Sequence, residues 1–242
     1  MWDENCFITL TYAPEHLPKD KSIEKRTLQL FIKRLRKHLK GKEIKFYACG
    51  EYGDKKGRPH YHACIFGHDF KDKVLFRFNN SGDNKGYVKQ GINSPLYTSP
   101  TLERLWRFGF STIGEVTIES AGYVARYILK KITGEKANEY YQNKTPEFAL
   151  MSRRPGIGKK WFKKYHTDVY PKDFFTINGV KCKPPRYYDD LLKKRNPDLH
   201  IRIKKKRREK AKEEEIIRLK QKENHKILTA KQLQRSLEDE TT

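Results

Sequence analysis

Histidines at positions 60 and 62, followed about sixty residues later by Tyr123, Tyr127 and Lys130, are the residues of this chain best suited to chemistry. Together they offer a hard-cation site to polarise a phosphodiester, a phenol to attack it and an ammonium close by. That chemistry requires the two segments to meet in space, so the elements carrying them matter as much as the residues.

The run Arg58-Pro59-His60-Tyr61-His62-Ala63-Cys64-Ile65-Phe66 alternates and starts at a proline, which predicts a strand with His60 and His62 on one face. Lys45 to Glu51 reads as the preceding strand, and Tyr52 to Arg58 as the polar loop of a hairpin. Glu51, at the end of the partner strand, can then reach the histidine face. Two nitrogens and one oxygen with coordination positions left open suit Mg²⁺ or Mn²⁺ bridging to a substrate phosphate better than a closed structural zinc. A His-x-His pair alone also occurs as exposed strand residues, so the weight rests on Glu51 and the tyrosines as well.

From Ser120 to Ile132 a helical advance of about 100° per residue puts Tyr123, Tyr127 and Lys130 within about 60° of one another. Ala121, Val124, Ala125, Ile128, Leu129 and Ile132 fall on the opposite side, the expected core-facing stripe. Arg126 and Lys131 flank the tyrosines, which makes their face wet and electropositive. A half-exposed tyrosine row is ordinary surface when taken by itself, but tyrosines kept for packing would sit with the isoleucines.

These residues carry a resemblance. His60-Tyr61-His62 resembles the His-hydrophobic-His signature of HUH endonucleases, and Tyr123 through Lys130 resembles their tyrosine motif in its two-tyrosine form. With Phe7-Ile8-Thr9-Leu10-Thr11-Tyr12, Gly50-Glu51-Tyr52-Gly53 and Ser152-Arg153-Arg154-Pro155-Gly156-Ile157-Gly158, residues 5 to 165 are similar to replication initiators of small single-stranded-DNA bacterial viruses, the Microviridae, of gokushovirus-like type. The resemblance implies that His60 and His62, with Glu51, are metal ligands for Mg²⁺ or Mn²⁺, that Tyr123 and Tyr127 are nucleophiles, and that Lys130 is the active-site lysine. It implies a site-specific DNA endonuclease and ligase of rolling-circle replication, leaving a 5′-phosphotyrosyl link and a 3′-hydroxyl for a host polymerase. Members of that group carry a longer cysteine-containing lead segment before the first motif, so the start of this chain is expected to be truncated, differently assigned or short.

Charge bounds the partners independently. Fifty-three Lys and Arg against thirty Asp and Glu leave a net charge of +23, which favours a polyanion and draws affinity from counterion release. The expected partner is single-stranded or supercoiled origin DNA, with Arg126, Lys131, Arg153 and Arg154 as candidate DNA contacts. Aromatics among basic residues, as in Trp161-Phe162-Lys163-Lys164-Tyr165 and Arg186-Tyr187-Tyr188, suit stacking on unpaired bases, or else pack beneath a solvated face. Gly156 and Gly158 could let backbone amides approach phosphates, although a simple turn is the default for such spacing. No motor motif is present, so strand opening is expected from supercoiling or a host helicase. No membrane span or signal pattern is read, the oligomeric state is open, and the host bacterial cytoplasm is the expected location. Dispersed Cys6, Cys49, Cys64 and Cys182 read as reduced thiols.

The element order predicts an α+β fold with a central antiparallel sheet, flanking helices and a charged C-terminal extension, helical or disordered. Cys6 to Tyr12 is the first strand, and Ser22 is expected to cap a helix running to about Lys40, ended by Gly41. Residues 67 to 100 read as a long DNA-facing insertion, closed by a short helix capped at Ser99. Phe110 to Val116 is a further strand before the tyrosine helix. The expected organisation is a core at 1–133, a basic and aromatic accessory segment at 134–185 packed on it, and a charged tail at 186–242. A single-tyrosine HUH relaxase or transposase and a non-catalytic basic nucleic-acid-binding protein are the alternative readings.

Overall fold

The computed structural model of the protein describes residues 1–53, 57–79, 94–127, 131–132, 134, 136–142, 144–212 and 216–233. The chain divides into two compact units between Ser152 and Arg153. The first holds a seven-stranded antiparallel sheet of β1 (Asn5–Tyr12), β2 (Lys45–Tyr52), β3 (Pro59–Phe66), β4 (Val74–Asn79), β5 (Ser94–Thr98), β6 (Gly109–Gly114) and β7 (Phe148–Met151). Its spatial order is β4-β5-β6-β1-β3-β2-β7. The helices are α1 (Lys25–His38), α2 (Pro100–Trp106), α3 (Ile118–Tyr127) and α4 (Lys136–Tyr141). This is the expected α+β architecture.

The alternation along β1 sorts the sheet into two unlike faces. Cys6, Ile8, Leu10 and Tyr12 are buried, while Phe7, Thr9 and Thr11 between them are only half-buried. On the buried side α1 contributes Leu28, Phe31, Ile32 and Leu35, spaced at helical period, and α2 contributes Leu102, Leu105 and Trp106. Each such large side chain withdrawn from water contributes about 1.5–3 kcal/mol. The opposite side carries a smaller cluster in which Cys49, Cys64 and Val124 are buried among Phe7, Tyr47, Phe66, Ala121 and Tyr123. There α3 lies over β2, β3 and β7.

Several local expectations need correction. Ser22 does not cap α1: its hydroxyl is buried, accepts from Thr145 N at 2.7 Å and lies 3.4 Å from Tyr52 Oη, so the helix begins three residues later. The 67–100 stretch is no plain insertion, because β4 and β5 pair at the sheet edge; residues 80–93 lie outside the described residues. The sheet also takes in β7, which pairs with β2 beyond residue 133. The Ser99 cap is present, its Oγ accepting from Leu102 N at 3.1 Å and donating to Asp72 at 2.6 Å. The left-handed turn at Lys40 and Gly41 follows α1 as expected.

Gly109 opens β6 with φ 143, and a Cβ there would lie 2.1 Å from Ala13 N and 2.6 Å from Thr11 O. No side chain fits between these backbones without moving β6 away from β1. Gly109→Ala is therefore expected to cost about 3 kcal/mol or more, read by denaturant unfolding. An unchanged unfolding midpoint would contradict this account of the strand's start.

The second unit contains α5 (Lys159–Val169), the hairpin β8 (Phe175–Ile177) and β9 (Val180–Cys182), α6 (Arg186–Arg195), α7 (Pro197–Lys212) and α8 (Ile216–Leu233). Where described, the charged extension is thus helical. Phe162, Val169, Tyr170, Leu192 and Ile203 form its core. Arg207 donates to Asp173 and Asp189, both at 2.7 Å at their well-aligned contacts, and ties α7 to α6 and to the turn after α5. The glycines at 156 and 158 serve packing here: a Cβ at Gly156 would meet the Tyr187 ring at 2.7 Å, and one at Gly158 the Tyr188 hydroxyl at 2.8 Å. Trp161 stacks on Tyr188 with ring centroids 5.5 Å apart. Among the described residues no helix is long and apolar enough to cross a membrane.

Candidate functional site

Strand register builds the site on the less buried face of the sheet. Phe110, Thr11, His60 and Glu51 form one row across β6, β1, β3 and β2, and Thr112, Thr9, His62 and Cys49 form the next. Directly opposed residues share a face, so the predicted hairpin brings the Glu51 carboxylate to both histidines. Its Oε1 lies 2.7 Å from His60 Nε2 and 2.8 Å from His62 Nε2. Glu51 is 1% exposed and His62 6%, while His60 is half-buried at the rim.

The other ring nitrogens are held from outside. His60 Nδ1 donates to the Arg58 carbonyl at 2.9 Å, and His62 Nδ1 is 2.9 Å from Thr9 Oγ1. Each imidazole is thereby oriented with Nε2 toward Glu51, the arrangement in which an outer hydrogen bond fixes a ligand nitrogen. A carbonyl and a carboxylate only accept, so His60 donates to both only as an imidazolium; as a neutral ring donating from Nδ1 it turns its Nε2 lone pair toward Glu51, where a cation could take it. Phe7 stacks on the His62 ring at 5.5 Å and 18°.

Burial by itself would raise the Glu51 carboxyl. The charge on His62 and the bonds from His60 and His62 outweigh it and hold the group below the ordinary carboxylate range. Glu51 Oε2 is buried with no hydrogen-bond partner among the described residues. That free carboxylate oxygen suits a ligand atom aimed at a cation better than a closed hydrogen-bond network. The three residues offer ligand atoms within 4.8 Å of one another and could hold a metal ion.

Tyr123 of α3 meets this cluster, its ring edge-on to His62 with centroids 5.4 Å apart. Tyr123 does not stand on a wet outer face of the helix: it packs with Val124 against the sheet, and Ala125, assigned to the apolar stripe, is exposed. The reason is that α3 packs on the half-polar face of the sheet, where a tyrosine beside a histidine is the inward residue. Tyr127 ends α3 with its side chain outside the described part, and Lys130 lies outside the described residues. Arg126 is half-buried in the last turn of α3, and Lys131 is exposed. Arg153 and Arg154 belong to the second unit, where both are exposed. Sequence reasoning missed Thr9, Phe7 and the Arg58 carbonyl; the polar alternation of β1 was visible, but its register against β3 was not.

The fold and this cluster define an α+β protein built around a two-histidine, one-carboxylate candidate metal centre with a phenol at its edge. Residues 5–132 match the family model of the replication-associated protein ORF2, and the chain belongs to that family. It is 36% identical over 208 residues to replication-associated protein VP4 of Bdellovibrio phage phiMH2K, covering 82% of this chain and 61% of that protein. It is 36% identical over 218 residues to replication-associated protein ORF2 of Spiroplasma virus 4, covering 85% and 63%. Replication-associated protein ORF4 of Chlamydia phage 1 is 33% identical over 201 residues, covering 79% and 47%. The chain thus spans between about half and two thirds of the length of these relatives. No solved structure matches it. The family match contains Glu51, His60, His62, Tyr123, Tyr127 and Lys130, and stops short of Arg153 and Arg154.

Proposed function

We propose that this chain initiates rolling-circle replication of a single-stranded-DNA phage genome by nicking and rejoining the origin strand through a phosphotyrosine intermediate. The observation that carries this reading is the buried Glu51, His60 and His62 cluster with the Tyr123 ring against it. Family membership and the replication-associated names of the relatives support the replicative role.

Glu51, His60 and His62 would hold Mg²⁺ or Mn²⁺, which supplies charge withdrawal from a non-bridging oxygen of the scissile phosphate. Arg58 and Thr9 keep the two imidazoles aimed. The phenol oxygen of Tyr123 or Tyr127 attacks phosphorus in line; the tyrosyl O–P bond forms as the P–O3′ bond breaks, and the phenol's proton is balanced by the one gained on the departing 3′-oxygen. Lys130 is assigned to stabilising the developing phenolate. Arg126, Lys131, Arg153 and Arg154 are assigned to backbone phosphates. The 3′-hydroxyl primes a host DNA polymerase, a host helicase opens the duplex, and the bacterial cytoplasm is where these partners meet. Rejoining reverses the exchange and needs no ATP, since the ester is conserved.

The test is incubation of the chain with labelled single-stranded oligonucleotides tiled across the genome that encodes it. A covalent adduct surviving a denaturing gel is expected for one origin-bearing oligonucleotide, with Mg²⁺ or Mn²⁺ present and lost on chelation. Tight binding of every oligonucleotide with no adduct under either cation would leave a non-catalytic basic binder instead.

A further inference from the structure

Phe110 stands in the row of the ligands and, like Thr11 between them, takes no part in the cluster. It stands near the start of β6, paired with Thr11 of β1 and three residues short of the β5 pairing at Ile113; it is 63% exposed and makes no ring contact with another described residue. The register aligns it with Thr11, His60 and Glu51, two strands away from His60, which at ordinary strand spacing is about 10 Å. Around it the sheet face is polar and open: Thr9, Thr11 and Thr112 are half-buried, and α3 covers the β2, β3 and β7 side instead. Arg107, exposed, stands three residues before it at the same end of β6. A strand face that meets water with threonines has no packing reason to put phenylalanine at the position level with His60 and Glu51.

We infer that Phe110 is a stacking platform for an unpaired base of the DNA strand, next to the phosphate held at the cluster. The assignment rests on the proposed reaction, because the occupant is chosen by it: a strand whose phosphate sits at Glu51, His60 and His62 must lay a neighbouring nucleotide over β1 and β6, or leave by α3. The net charge of +23 attracts the phosphates without regard to sequence, and an aromatic face holds any base. Phe110 is thus a positioning residue that fixes where along the strand the phosphate stops.

The experiment compares binding of the full chain to labelled oligothymidylate and to a wholly abasic oligomer of the same length, in chelator so that no chemistry intervenes. Phe110→Ala is expected to weaken oligothymidylate binding about tenfold and leave the abasic oligomer unaffected. Phe110→Trp should keep the preference for bases and show indole fluorescence quenched on adding oligothymidylate, which tests the assignment even if the alanine variant folds poorly. Wild-type affinity of Phe110→Ala for oligothymidylate, equal losses on both polymers, or an unquenched indole would each overturn it. Base-dependent loss in a chain that never forms an adduct would sink the nicking reading while the platform stands; a normal adduct with no base-dependent loss would do the reverse.

Discussion

Glu51→Gln is expected to lower covalent attachment of DNA by about 100-fold or more while the chain stays folded. Glutamine keeps the volume of the side chain, so the core does not open. What it removes is the one negative charge facing two imidazoles inside a site where Glu51 is 1% exposed. Loss of charge-assisted bonds to His60 and His62 costs about 1–3 kcal/mol of stability, which a unit with this core tolerates. Loss of the carboxylate of this cluster would be more serious for a bound hard cation, because two neutral nitrogens hold Mg²⁺ weakly. A readout free of catalysis follows from linkage. Saturating Mn²⁺ is expected to raise the wild-type melting temperature by about 5–10 °C, since it binds the folded chain alone, and to leave Glu51→Gln unmoved. A variant that keeps both the thermal shift and the adduct would remove Glu51 from the centre.

The parts of this site legible in the sequence are those that depend on one local rule. His-x-His in an alternating run fixes a common face, and a short polar loop places Glu51 opposite His60, as the register shows. The parts that are not legible depend on what packs against what. β4 and β5 escape a sequence reading because the pair sits at the sheet edge, carries a register shift between Leu75 and Arg77 and includes Pro95, so its alternation is blurred. Val74, Leu75 and Phe76 stay exposed there, which removes the contrast on which a strand is read. Ser22 has the composition of a cap, but a buried hydroxyl goes to the nearest unsatisfied partners, here Thr145 N and Tyr52. The tyrosine helix departs from its expected packing for a related reason. Periodicity places Ala121 and Val124 on the packed side, as found, but the surface beneath α3 joins Cys49, Cys64 and Phe66 to the His62 ring, so Tyr123 is drawn inward beside them while Ala125 is left exposed.

Neither Tyr123→Phe nor Tyr127→Phe alone is expected to abolish the adduct, and the double variant is expected to eliminate it. The two residues are four apart on α3, so their backbones are offset by about 6 Å, one turn. Tyr123 is already against His62, which places its phenol beside the cluster. A phenol that titrates near 10 is only about one part in a thousand ionised at neutral pH, so whichever tyrosine attacks must do so where positive charge stabilises the phenolate. Two tyrosines within one turn of each other can both satisfy that condition, by a small shift of the strand, and the reaction gives a reason to keep both. In the proposed reaction one phenol would hold the strand cleaved at the start of synthesis, and the second would cut the regenerated junction before a unit-length circle could close. The single variants should therefore form adduct yet release few circles, seen as covalent product without ring closure on a denaturing gel. Loss of all adduct in one single variant, with the other unimpaired in both cutting and joining, would instead identify a one-tyrosine enzyme.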